Sequence, residues 1–221
     1  MIADTDAARR DFIQTHTKLQ APPLVPEIRL HLASEVVPLW QATEEELTQQ
    51  GLPPPFWAFA WAGGQALARY LLDHPHVVQD RGVLDFGSGS GLQGIAAKLA
   101  GAKRVLAADI DPFAAQAAAL NATANGVELE ITEQDQIGAS AGEWDVILAG
   151  DVCYEGPMAE SIEIWLRDLA ADGKEVLLGD PGRTYLPRQG LERVIAYGVK
   201  TSRELEDTDL RNAVVWRVMP T

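Results

Sequence analysis

Val83-Leu84-Asp85-Phe86-Gly87-Ser88-Gly89-Ser90-Gly91-Leu92-Gln93-Gly94 is the stretch whose reading decides the fold. A short apolar run meets an acid, then glycines at alternate positions, then a segment with helical character. Glycine lets a backbone turn sharply and come close to a ligand. The helix that follows aims its free amide groups back at the same place. Taken alone, the stretch fits two kinds of nucleotide ligand. Gly89, Gly91 and Gly94 also satisfy the dinucleotide pattern G-x-G-x-x-G, and Asp109 falls where a ribose-binding acid belongs in either case.

The flanking chain alternates between two patterns. Strands are expected at Val83–Phe86, Arg104–Asp109, Val127–Thr132, Trp144–Ala149 and Glu175–Leu178. Helices are expected at Gln65–Leu72, Leu92–Ala100, Pro112–Asn125 and Pro157–Ala170, with a further short helix at Leu191–Tyr197. Repeated βαβ units imply an α/β fold with a largely parallel sheet and helices on both faces. Val199–Leu205 and Ala213–Met219 follow with no crossover helix between them, so they should close the sheet as an antiparallel hairpin. Upstream, a helix is expected over residues 4–19, a short strand around Ile28–Leu32, and a capped helix from Thr43 to Gly51. Pro53-Pro54-Pro55 stiffens the junction. The chain therefore divides into an N-terminal accessory region, 1–52, and a main domain, 53–221.

Composition bounds the function classes. The chain has 221 residues and a formal net charge of −14, which repels nucleic-acid phosphates. No apolar run approaches the roughly 18 residues that span a bilayer. The acidic N-terminus lacks a secretory pattern, and a cytosolic, monomeric protein is expected. A single cysteine, Cys153, excludes an internal disulfide. It reads as a small buried residue. The four histidines show no metal-ligand spacing, so no metal is expected.

Ligands of open parallel sheets bind beyond the carboxyl ends of the strands. Acids recur at these ends: Asp85, Asp109 with Asp111, Asp135 beside Gln134, Asp151 after Gly150, and Asp180. Asp85 discriminates between the two ligands. A carboxylate two residues ahead of the first glycine repels a pyrophosphate and suits a cationic amine. S-adenosylmethionine carries an ammonium and a sulfonium and has no phosphate. Asp109 then suits the two ribose hydroxyls, and Gln134 or Asp135 the adenine amine.

Asp85-x-Gly87-x-Gly89-x-Gly91, Asp109, Asp135 and the terminal hairpin resemble the class I, Rossmann-like seven-strand S-adenosylmethionine-dependent methyltransferases, over about residues 56 to 219. The resemblance narrows at Pro55-Phe56-Trp57-Ala58, Trp61-x-Gly63-Gly64-Gln65, Asp109-Ile110-Asp111-Pro112, Gly150-Asp151-x-x-Tyr154 and Gly179-Asp180-Pro181-Gly182-Arg183. Together these are similar to the lysine methyltransferases of the electron transfer flavoprotein β subunit. The family implies S-adenosylmethionine as cofactor and a protein lysine as methyl acceptor. It implies cofactor contacts from Trp57, Trp61, Asp85, Gly87, Gly89, Asp109, Ile110, Gln134, Asp135 and Gly150. Asp151 is the principal catalytic candidate, with a helix cap or a cofactor-amine ligand as its alternatives. Tyr154 either walls the lysine channel or is a packed aromatic. Tyr154, Glu155, Asp180 and Arg183 would line the substrate side, although an Asp–Arg turn explains the last pair equally well. The Phe56–Gly64 segment reads either as a binding surface or as a strap sealing the core.

Overall fold

A computed structural model describes residues 5–33, 54–201 and 210–220. The N-terminal helix α1 spans Asp6–His16 and starts at Thr5, whose hydroxyl accepts from the Ala8 amide at 3.3 Å. It is shorter than expected. Thr17 is extended, and Leu19 lies instead in β1 (Lys18–Gln20), which pairs antiparallel with β2 (Leu30–Leu32). The helix expected from Thr43 lies outside the described residues.

The main sheet takes β3 (Gly82–Phe86), β4 (Arg104–Ala108), β5 (Glu130–Thr132), β6 (Val146–Gly150), β7 (Glu175–Asp180), β8 (Leu191–Lys200) and β9 (Leu210–Val218), in the order β5-β4-β3-β6-β7-β9-β8. The first five in that order run parallel, and β9 enters antiparallel between β7 and β8. Helices α2 (Ala62–Asp73), α3 (Leu92–Leu99), α4 (Pro112–Ala124) and α5 (Gly156–Ala171) complete the layers. Alternation along β6 shows that both faces are covered. Val146 and Leu148 join the core under α2, whereas Ile147 and Ala149 join the core under α5.

Two further expectations need correction. Leu191–Tyr197 is strand, not helix: it is most of β8, paired along its length with β9. A register irregularity between Arg193 and Ile195 explains the misreading. It breaks the two-residue alternation and leaves Leu191, Val194 and Ile195 at helical spacing. The second correction concerns α2, which begins at Ala62 rather than Gln65. Gly63 and Gly64, poor helix formers, sit in its first turn.

Their place there follows from packing. A Cβ on Gly63 would collide with the Gly179 carbonyl oxygen and lie 2.6 Å from Asp151 Oδ2. The α2 N-terminus thus comes against the ends of β6 and β7 in a way that a side chain forbids. The α4 helix is alanine-rich and buried nearly all round, because residues 5–33 cover its outer side. Arg10 Nε donates to Gln116 Oε1 at 2.6 Å, and the His31 amide donates to Asn121 Oδ1 at 2.7 Å. Ile13, Trp57 and Phe113 fill the space between.

The two helix glycines should separate cleanly by mutation. Gly63→Ala is expected to lower stability by about 3 kcal/mol through overpacking. In Gly64→Ala the nearest atom, Gln93 Cδ, lies 3.9 Å from the new methyl, and the cost should stay below about 1 kcal/mol. Urea denaturation midpoints of the two variants measure this.

Candidate active site

The strand ends enclose one cavity of about 410 Å³. Its wall is built first by the turn after β3. Gly87, Gly89 and Gly91 adopt φ of 62°, 50° and 77°, a conformation that L side chains rarely take. Two acids hold this turn. Asp109, at the end of β4, accepts from the Gly89 amide at 2.8 Å through Oδ2 and from the Asp111 amide at 3.0 Å through Oδ1. Asp85 accepts from the Gly94 amide, in the first turn of α3, at 2.8 Å.

Asp85 lies away from the cavity wall where the sequence places it. It is fully buried and does not line the cavity, so its carboxyl supports the turn from beneath instead of facing a ligand. Its Oδ1 has no hydrogen-bond partner. Burial, opposed by the Gly94 amide and reinforced by Asp109, pushes its pKa up to about 7. Asp109 does line the cavity, with Gly87, Gly89, Ile110 and Asp111. Asp111 also caps α4 through the Phe113 amide at 2.8 Å, and burial raises its pKa to about 6. Gln134 and Asp135 lie at the exposed edge, where Asp135 accepts from the Ile137 amide at 2.9 Å.

The far wall is the end of β6. Gly150 lines it, and a Cβ there would sit 3.0 Å from Gly64 Cα. Asp151 follows at φ 59°, one of two described non-glycine residues with positive φ. Its amide donates to the Gly179 carbonyl at 2.9 Å. Its Oδ2 accepts from the Gly64 amide at 2.9 Å, and its Oδ1 accepts from Arg183 Nη2 at 2.7 Å and Nε at 3.2 Å. The carboxylate thus caps α2 from another part of the chain, at the positive end of that helix. It does not cap α5, whose N-cap residue is Glu155. Burial raises the Asp151 pKa to about 6, against the lowering effects of Arg183 and the Gly64 amide.

Aromatic rings close the mouth. Trp57 is buried and stacks on Phe113 at 6.1 Å, so this part of the Phe56–Gly64 segment both seals the core and lines the cavity. Phe56 and Tyr154 are half-exposed with ring centres 5.5 Å apart. The Arg183 guanidinium lies 5.4 Å from the Trp61 ring centre. Burial first, then Asp109 and Glu155, raise the Tyr154 pKa, which keeps the phenol neutral. Cys153 is buried, with its thiol pushed up to about 12 by burial, as befits a packing residue.

Two predicted substrate contacts do not line the cavity. Glu155 is exposed outside it. Asp180 is fully buried, and its Oδ1 accepts from the amides of Gly182 and Arg183 at 2.6 and 2.7 Å. Asp180 therefore shapes the turn that delivers Arg183. Phe86, Ile137, Val152 and Met158 line the cavity and were not singled out from sequence. Phe86 ends β3 and Val152 lies just past β6, whereas Ile137 lies in the segment between β5 and β6 and Met158 in α5, beyond the reach of strand alternation.

The buried acids leave a signature in stability. The folded chain holds the Asp85 proton to higher pH than the unfolded chain does, so stability should fall as pH rises from about 4 towards 7. Asp111 and Asp151 add to the fall only up to about pH 6. Asp85→Asn should therefore flatten the segment between pH 6 and 7, by at most about 1 kcal/mol per pH unit. Denaturant unfolding at a series of pH values measures the slope.

Comparison with known proteins places this geometry. Residues 65–154 match the family model for ribosomal protein L11 methyltransferase (PrmA). Among solved structures, the ribosomal protein L11 methylase from Lactobacillus delbrueckii subsp. bulgaricus aligns with a TM-score of 0.50 at 22% identity, covering 72% of this chain and 81% of that one. The magnesium protoporphyrin IX methyltransferase from Synechocystis PCC 6803, solved with bound SAM, aligns with a TM-score of 0.50 at 19% identity, over 69% and 76%. Both share the fold. Relatives with higher identity extend over nearly the whole chain. The electron transfer flavoprotein beta subunit lysine methyltransferase of Xenopus laevis is 39% identical over 217 residues, 96% of this chain and 87% of that protein. The Homo sapiens protein of the same name is 36% identical over 222 residues, 97% and 84%. On identity sustained across both lengths, the chain belongs to the electron transfer flavoprotein β-subunit lysine methyltransferase family.

Proposed function

We propose that this protein transfers a methyl group from S-adenosylmethionine to a lysine side chain of the electron transfer flavoprotein β subunit. The observation that carries the reading is Asp151, a buried carboxylate at a strand end, held at both oxygens, on the wall of an otherwise acidic cavity.

The donor set fits the cofactor. Asp109, Asp111, Asp135 and Asp151 line the cavity, and among the described residues the one lining cation, Arg183, is paired with Asp151. Such a lining favours a cationic ligand and disfavours a phosphate. The volume is that of a small-molecule site. When bound, S-adenosylmethionine supplies an electrophilic methyl on its sulfonium. Asp109, at the β4 end, is the residue for the ribose hydroxyls, Gln134 and Asp135 are those for the adenine edge, and Trp57 and Trp61 exclude water.

The chain must then bring in a lysine and align it. Lysine has an ordinary pKa near 10.4, so neutralising its amine at pH 7 costs roughly 4.6 kcal/mol. Phe56, Trp61 and Tyr154 make an apolar passage for its methylene chain. Within that passage Asp151 orients the nitrogen and accepts its hydrogen bond, while the proton leaves to solvent. Positioning is the main contribution of such a group. The accessory region 1–52 and the segments after Asp151 and Asp180 form the docking surface, where the exposed Glu155 favours a lysine-bearing loop. The reading keeps the expectation of a cytosolic monomer. Among the described residues no helix is long and apolar enough to cross a membrane.

A ribosomal-protein substrate is the second reading. It rests on the PrmA match, which covers residues 65–154.

Asp151→Ala should lower kcat on purified β subunit by at least about 100-fold while leaving S-adenosylmethionine affinity within a few-fold. Methyl incorporation and calorimetric titration measure the two quantities. Normal turnover by the variant would remove Asp151 from the mechanism.

A further inference from the structure

A buried carboxylate beside a lysine poses a difficulty. It attracts the ammonium form and raises its pKa, which opposes formation of the nucleophile. The surroundings of Asp151 contain an answer. Arg183 meets Asp151 Oδ1 through two nitrogens, at 2.7 and 3.2 Å. The turn after β7 is built to place it there. Asp180 Oδ1 accepts from the amides of both Gly182 and Arg183, and Gly182 adopts φ 89°. The indole of Trp61 flanks the guanidinium. The α2 side presents Gly63 and Gly64, which contribute an amide and no charge. The other charge that bears on Asp151 is Asp180 at the end of β7, and the nearby Cys153 thiol and Tyr154 phenol stay neutral.

We propose that Arg183 is a positioning residue whose guanidinium holds the Asp151 carboxylate and offsets its charge, so that the incoming lysine meets a neutral ion pair and binds as the uncharged amine. The inference rests on the lysine methyltransferase reading above. It deepens that reading by assigning how the lysine loses its charge before attack. Asp151 keeps an acceptor site on Oδ2 for the amine hydrogen, and the lysine proton leaves to water. Arg183 itself touches neither reacting atom. The direction of its effect on Asp151 agrees, since its charge and hydrogen bonds both hold that carboxyl lower than burial alone would.

The test compares wild type with Arg183→Gln and Arg183→Lys. In Arg183→Gln, the rising limb of kcat against pH should move up by about one unit or more, because the bound lysine and Asp151 both hold their protons to higher pH. Arg183→Lys should bring the limb most of the way back. Carbon-13 titration of the Asp151 carboxyl, assigned with Asp151→Asn, should show the same order without any substrate present. A loss of kcat with an unmoved limb, or an Asp151 titration unchanged by Arg183→Gln, would overturn the inference. Failure of the function reading looks different. The wild type would then transfer no methyl group to the β subunit, while the carboxyl titration would still report whether Arg183 governs Asp151.

Discussion

The Asp151 carboxylate joins three parts of the chain at one point. It follows β6, it receives the Gly64 amide from the first turn of α2, and it pairs with Arg183 from the turn after β7. Each junction makes a demand on sequence. The approach of α2 excludes a side chain at Gly63, and the Asp151 backbone takes a positive φ that only a few residue types accept readily. A buried charge is tolerated when it is paired and hydrogen-bonded, and strongly destabilising when its partner is lost. Here the stabilising partners also fix where the carboxylate points. Stability and positioning therefore depend on the same contacts.

The acids at the strand ends divide into two kinds. Asp85 and Asp180 are wholly buried and hold turns, one under the glycine loop and one under Arg183. Asp109, Asp111, Asp135 and Asp151 face the cavity, and the first three also accept backbone amides that set their own loops. Support and ligand chemistry are thus drawn from one residue type. The result is a negative pocket in a chain whose net charge is −14. Such a pocket draws in a cationic cofactor and a basic acceptor alike, and rejects phosphate.

Most of the fold was legible in the sequence, because parallel strands buried on both faces and the helices between them carry strong periodic signals. The failures have physical causes. The β8 strand imitated a helix because an irregular register put Leu191, Val194 and Ile195 at helical spacing. The start of α2 was missed because glycines usually end helices, and nothing local reports that Asp151, 87 residues away, would cap one. Most residues singled out from the sequence line the cavity, since they lie at or near strand ends. Their roles were less legible. Whether a strand-end acid faces a ligand or a backbone amide depends on burial, and Asp85 and Asp180 carry no sequence mark that separates them from Asp109 and Asp151.

The central claim is that this acidic pocket serves methyl transfer to a lysine of the electron transfer flavoprotein β subunit. It is tested most directly by a competition. Purified β subunit and ribosomal protein L11 are offered together to the wild-type protein with methyl-labelled S-adenosylmethionine, and the label is mapped by mass spectrometry. The account predicts label on lysine side chains of the β subunit and none on L11. Label on L11 alone, or on neither protein, would contradict it.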